Sequence, residues 1–141
     1  MKVPMMAGIM LSGIAVSSCS TAPAEQSSRS PEASQKLTDA LAGRVAGTPQ
    51  RCISNFPTAE MRVIDDFTIL YTEGGRSTVY VQNPRGGCPG LASGSRTLVA
   101  RQVGTSQMCD GDINELIDLQ SRTSGGACVF GPFVPYTKSK G

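Results

Sequence analysis

Five cysteines constrain this chain more than any other feature. Cys19 closes an apolar N-terminal run, while Cys52, Cys88, Cys109 and Cys128 are spread over the rest of the sequence. None are spaced C-x-x-C, so a thioredoxin-like redox motif is absent. A four-thiolate zinc site wants two close pairs, and these cysteines stand far apart. An even number of separated cysteines instead predicts two disulfides, provided the chain matures in an oxidising compartment.

The N-terminus bears on that proviso. Residues 1–19 read MKVPMMAGIMLSGIAVSSC. Lys2 gives a positive start. The apolar stretch from Val3 to Val16 is shorter than the roughly 20 residues a spanning helix needs, and it suits the core of a signal peptide. Its end, Val16-Ser17-Ser18-Cys19, resembles the bacterial lipobox, in which an aliphatic residue and two small ones precede a cysteine. The resemblance implies cleavage after residue 18, diacylglycerol on the Cys19 thiol, and palmitate-like acyl chains. The competing reading is an ordinary secretory signal cut nearby, with an incidental cysteine. Two or three acyl chains, at about 0.8 kcal/mol per buried methylene, make a stable anchor where one does not. Ser20 follows, not aspartate. By resemblance to lipoprotein sorting, that implies an outer-membrane anchor facing the periplasm. The membrane, through the N-terminal lipid, is the first expected partner.

Composition narrows the chemistry. The 141 residues include no histidine. That excludes Ser-His-Asp and Cys-His catalysis and imidazole metal sites. A formal charge of +2 is too mild to argue for nucleic acid, and none is expected as a partner. No metal or other cofactor is expected. The 16 glycines and 9 prolines predict a loop-rich chain.

Four segments follow: a leader over 1–18, a lipid-anchored linker with a short helix over 19–50, a disulfide-bonded β domain over 51–136, and a tail over 137–141. Residues 20–30 are rich in Ser, Ala, Pro and Gln and read as a tether. Ser30 then suits a helix cap, Pro31 the first helical position and Glu32 the first turn. Leu37, Leu41 and Val45 fall on one face, Glu32 and Lys36 pair at i,i+4, and Gly43 or Gly47 ends the helix. With three large apolar residues it should dock weakly on the domain, or fray.

Six short β runs are predicted beyond it: 61–64, 67–71, 78–82, 97–103, 113–119 and 128–134. Asp65-Asp66 and 72–76 read as hairpin turns, and 84–95 as a long Gly/Pro loop. The pattern predicts an all-β domain, a small six-stranded antiparallel barrel or coiled sheet stapled by two disulfides. Its expected core is Val63, Phe67, Ile69, Val79, Val81, Leu98, Ile113, Leu116, Val129 and Phe133. Pro132 implies an edge or bulge in the last strand. Strand parity puts Cys52 and Cys109 at one end and Cys88 and Cys128 at the other, pairing them so. The long 84–95 loop allows Cys88–Cys109 with Cys52–Cys128 instead, and sequence does not decide among the three connectivities that four cysteines permit.

The segments Arg51-Cys52-Ile53, Val63-Ile64-Asp65-Asp66, Gly87-Cys88-Pro89-Gly90-Leu91, Cys109-Asp110-Gly111-Asp112-Ile113 and Cys128-Val129-Phe130-Gly131-Pro132-Phe133 occur in this order. Together they resemble a family of small exported proteobacterial proteins and lipoproteins catalogued only as a domain of unknown function. The resemblance spans residues 50–136. It implies a disulfide-bonded exported domain and lends no reaction or ligand.

Among chemistry-bearing residues, Asp110 and Asp112 flank Gly111, but an EF-hand would need a glutamate where Ser121 stands. A turn bonding its own N–H groups is the simpler reading. Asp65 and Asp66 are adjacent in a turn and point apart, unlike a glycosidase pair. The glycine-rich stretch 86–95 lacks the Lys-Ser/Thr of a phosphate loop. If a ligand site exists, Gly87, Gly90, Asp110 and Asp112 mark the two loops that would form it. No catalytic residue is assigned. Tyr71, Tyr80 and Phe67 suit half-buried strand positions better than a base-stacking platform. The leading expectation is a non-catalytic binding or structural domain facing an envelope protein or cell-wall component. The alternatives are a periplasmic enzyme using carboxylates such as Asp110 and Asp112, and an inhibitor of an envelope-attacking hydrolase presenting loop 84–95.

Overall fold

Helix α1 (Pro31–Leu41) starts where its cap demands. The Ser30 hydroxyl accepts from the Ala33 N–H at 3.1 Å, and proline occupies the first turn, where its missing N–H costs nothing. Glu32 and Lys36 pair along the exposed side at 2.7 Å. Gly43, at φ +68°, supplies the left-handed residue that lets the chain leave the helix. This is a computed structural model, and it describes residues 29–54, 60–73, 77–100, 104 and 106–139. The leader, Cys19, the 74–76 part of the expected hairpin loop and the 101–103 end of the expected fourth strand lie outside the described residues. No described helix is long and apolar enough to cross a membrane.

The strands are β1 (Arg44–Ala46), β2 (Cys52–Ser54), β3 (Glu60–Asp65), β4 (Thr68–Thr72), β5 (Val79–Gln82), β6 (Arg96–Val99), β7 (Gln107–Cys109), β8 (Ile113–Asp118), β9 (Ser124–Val129) and β10 (Phe133–Lys138). They form three antiparallel sheets: β1-β10-β5-β4-β3, β2-β7 and β6-β8-β9. No sheet closes. The expected six-stranded barrel or coiled sheet is therefore wrong: the described residues form ten strands in three separate sheets, none of them closed. The expected last strand, 128–134, is the reason. It is interrupted at Phe130-Gly131-Pro132, and its two halves belong to different sheets. A Cβ on Gly131 would lie 2.7 Å from the Asn83 carbonyl oxygen, so only glycine fits there. Pro132 follows with no N–H to continue a ladder. The chain crosses between sheets at that point, and a continuous hydrogen-bonded cylinder cannot form. Pro132 itself sits between strands and not in one.

Two hydrophobic clusters lie on opposite faces of the five-stranded sheet. One contains Ala33, Ile64, Leu70, Val79 and Val81, with Leu37, Ala40 and Leu41 of α1 packed against it. The other contains Ile53, Ile69, Tyr71, Leu91, Met108, Leu116, Phe130, Phe133 and the sulfurs of Cys88 and Cys128. β4 is buried on both faces, which is why Thr68-Ile69-Leu70-Tyr71 reads as a continuous run and not as an alternation.

Two expected core residues point outward. Ile113 is 68% exposed and Phe67 40%. On β8 the inward positions are Asn114 and Leu116, and the buried Asn114 amide is satisfied by donating to the Asp112 carbonyl at 3.2 Å. Phe67 sits in the β3–β4 turn, where its ring covers Gly87. Val45, expected on the helix face, lies in β1 and is exposed.

Candidate functional site

The Asp110-Gly111-Asp112 turn joins β7 to β8. Gly111 adopts φ +94° and donates its N–H to the Phe130 carbonyl at 2.9 Å. Asp112 turns back on its own loop, its Oδ2 accepting from the Cys109 N–H at 2.7 Å. Asp110 looks elsewhere: its Oδ1 takes Arg85 Nη2 at 2.5 Å. The two carboxylates thus serve different partners and do not converge. Among the described residues, no group of three or more His, Cys, Asp or Glu side chains is placed to hold a metal ion.

The ion pair from Asp110 to Arg85 joins the two loops that sequence marked as candidates. Arg85 is also fixed through its backbone, donating its N–H to the Val129 carbonyl at 2.8 Å. Below it, the Cys88–Cys128 disulfide fastens loop 84–95 to β9. The Cys52–Cys109 disulfide links β2 to β7. Of the three connectivities that sequence left undecided, this is the one that strand parity suggested.

The glycine-rich loop does cradle an anion, and the anion is Asp66. Its Oδ1 accepts from the Ala92 N–H at 2.8 Å and its Oδ2 from the Gly90 N–H at 3.2 Å. Its carbonyl accepts from the Cys88 N–H at 2.6 Å. Two N–H groups of a Gly-rich loop converging on one carboxylate form a concavity of the kind that in other loops holds a phosphate. Gly87, at φ +76°, must be glycine: a Cβ there would lie 2.7 Å from the Phe67 ring and 3.0 Å from the Asp66 carbonyl oxygen. Gly90, at φ +82°, is hemmed in by Ser95 and Arg96. Sequence reasoning treated Asp66 as a turn residue and missed this role. Its partners lie 24 and 26 positions away, too far for spacing to have signalled the contact.

Other acids have similar duties. Asp65 accepts from the Phe67 N–H at 2.8 Å and pairs with Arg29 Nε at 2.6 Å. Arg29 also donates through Nη2 to the buried Thr68 hydroxyl, so the residue before the helix cap is tied to the sheet. Asp118 Oδ1 accepts from the Ser121 and Gln120 N–H groups and from the Ser121 hydroxyl. The backbone N–H of Ser121, then its hydroxyl, hold the Asp118 carboxyl below the usual aspartate range.

Three of the described aromatics pack on one another. Tyr71, Phe130 and Phe133 form a three-ring cluster with centroids 5.7–6.1 Å apart. Burial pushes the Tyr71 phenol above its ordinary range, and its hydroxyl donates to Met61 Sδ at 3.7 Å. Phe67 lies apart over Gly87, so no stacking platform unites it with Tyr71 and Tyr80. Gln82 is the notable buried polar group. Its amide donates to the Gly131 carbonyl at 2.7 Å and accepts from the Gly131 N–H at 2.9 Å, clamping the crossing between sheets.

Comparison with family models, curated proteins and solved structures finds no match.

Proposed function

We propose that this chain is an exported lipoprotein. The leader is removed, Cys19 carries the lipid, and the domain is tethered to the outer membrane facing the periplasm. There it serves as a non-catalytic binding or structural module for an envelope protein or cell-wall component. The observation that carries this reading is the pairing of all four cysteines beyond Cys19 into two disulfides, one with both sulfurs sealed in the core. Such bridges form and persist in exported proteins and are rare in a reducing cytosol. The apolar leader ending in Val16-Ser17-Ser18-Cys19 supplies the route out. The resemblance of residues 50–136 to a family of small exported proteins is part of the same proposal. The non-catalytic character is supported by Asp65, Asp66, Asp110, Asp112 and Asp118, each occupied with a turn N–H or a guanidinium.

A second reading has one observation behind it. Loop 84–95 is held by Asp66, by Arg85–Asp110 and by Cys88–Cys128, and a loop ordered in advance binds at lower entropic cost. That favours an inhibitor of an envelope-attacking hydrolase. Pull-down from periplasmic extract, with hydrolase assays on the captured proteins, separates the two readings.

Metabolic labelling with an alkyne fatty acid tests the anchor. The wild-type chain should take up label and sediment with membranes, and Cys19→Ser should do neither. A wild-type chain that stays unlabelled and soluble would contradict the proposal.

A further inference from the structure

The two disulfides differ in access. Cys88 is 0% and Cys128 2% exposed, inside the larger core. Cys52 and Cys109 are both partly exposed. They face each other directly across the β2–β7 ladder, with Cα atoms 4.0 Å apart. The pair is a non-hydrogen-bonded one. The adjoining ladder bond runs from the Asp110 N–H to the Arg51 carbonyl, while the Cys109 N–H goes to Asp112. No backbone bond at that position depends on the sulfur link. Thiol–disulfide exchange needs an attacking thiolate to reach a sulfur, so the exposed pair is open to it and the sealed pair is not.

We infer that Cys52–Cys109 is an exchange-competent disulfide, opened by an external dithiol and reclosed by that dithiol's oxidised, disulfide form through the reverse exchange, while Cys88–Cys128 keeps the domain folded. One thiolate of the dithiol attacks Sγ of Cys52 or Cys109. A mixed disulfide forms and the other cysteine leaves as thiolate. The second thiolate of the dithiol then attacks its own sulfur in that mixed disulfide, closing the dithiol's ring and releasing the second cysteine. Two electrons pass to the protein, and the dithiol's two protons end on Cys52 and Cys109. The reductant class is a dithiol, either a small molecule or the paired cysteines of an oxidoreductase. The β2–β7 ribbon has three register pairs and two buried side chains, Ile53 and Met108. A ladder of three pairs is short, so with the sulfur link gone it loosens at the Cys52–Cys109 end, while Ile53 and Met108 keep their places in the larger core and the other sheets persist.

The test uses the mature protein with pre-existing free thiols blocked. It is titrated with dithiothreitol in one arm and with a Cys-x-x-Cys oxidoreductase in another, trapped by alkylation and mapped by peptide mass spectrometry. Cys52 and Cys109 should be alkylated about ten-fold or more faster than Cys88 and Cys128. Near-UV circular dichroism should be retained, and faster hydrogen exchange confined to 50–54 and 107–110. Acceleration by the enzyme assigns the protein source, and equal rates assign a small dithiol; either supports the proposal. Joint reduction of both pairs, earlier reduction of Cys88–Cys128, resistance of Cys52–Cys109, or global unfolding with the first bond would overturn it. The double variant Cys52→Ser, Cys109→Ser should fold with Cys88–Cys128 intact. Its failure to fold would overturn the independence of the two bonds.

Discussion

The two faces of the five-stranded sheet are stabilised by different means. Against one face lies α1, an amphipathic helix with a Ser30 cap, and the cluster there is aliphatic: Ile64, Leu70, Val79 and Val81 with Ala33. Ladder bonds and helix packing suffice. Against the other face lie two small sheets and loop 84–95, which have little regular structure to cooperate with. That side uses both disulfides, the carboxylate of Asp66, the Gln82 clamp on Gly131 and a three-ring aromatic cluster. Where regular structure is short, side-chain-to-backbone bonds and covalent links replace it. By the chain-entropy estimate, bridges closing loops of this length contribute about 4 kcal/mol each, a large share of a small domain's stability.

Substitutions on the two sides sharpen this contrast. The largest effect is expected from Phe130→Ala, which empties the fully buried ring between Tyr71 and Phe133. Urea unfolding should show a loss of about 3–5 kcal/mol. A loss below about 1 kcal/mol would mean that the sulfur-bearing side is not a close-packed core. Asp66→Ala comes next. It strips two N–H groups of a charged acceptor and should cost about 2–3 kcal/mol, with faster hydrogen exchange at Gly90 and Ala92. Unchanged exchange at those amides would show that the loop does not depend on Asp66. On the helix side, Ser30→Ala should cost only about 1 kcal/mol, with exchange loosened in 31–41 and unaffected in 84–95.

The smallest effect is a pH dependence. Asp118 has a folded-state pKa depressed first by the Ser121 N–H and second by its hydroxyl. A depressed carboxyl contributes stability that is complete above the unfolded-state pKa and disappears as pH falls through the folded-state value. Ser121→Ala removes the second cause. The carboxyl resonance should titrate at higher pH in the variant. Any stability difference from wild type should be present at neutral pH and vanish in acid. Identical titration curves would remove the hydroxyl from the account.

The helix-backed side was the more legible in sequence. Ser30-Pro31-Glu32 announces a helix start, and Asp65-Asp66 marks the turn between β3 and β4, because caps and turns are written in local residue chemistry. The other side depends on long-range events. β2 and β7 have three residues each, too few to display an alternation. The break at Phe130-Gly131-Pro132 looks like a strand until Gly131 is seen against Asn83. Ile113 and Phe67 are apolar and outward because neighbours set the register: Asn114 finds a carbonyl inside, and Phe67 covers a glycine. For the candidate loops, sequence named Gly87, Gly90, Asp110 and Asp112 but not what joins them. Arg85–Asp110 spans 25 positions and Asp66–Ala92 spans 26, separations at which spacing carries no signal.

Whether the chain is lipidated at Cys19 and fully disulfide-bonded can be read in one experiment: intact mass spectrometry of the protein extracted from its native membrane, with and without reduction before alkylation. The expected species is a chain beginning at residue 19, heavier by its acyl chains, that takes up no alkylating agent unless first reduced, and then takes up four equivalents. An unprocessed chain beginning at Met1, without lipid and with all its thiols alkylated in the absence of reductant, would contradict the proposal.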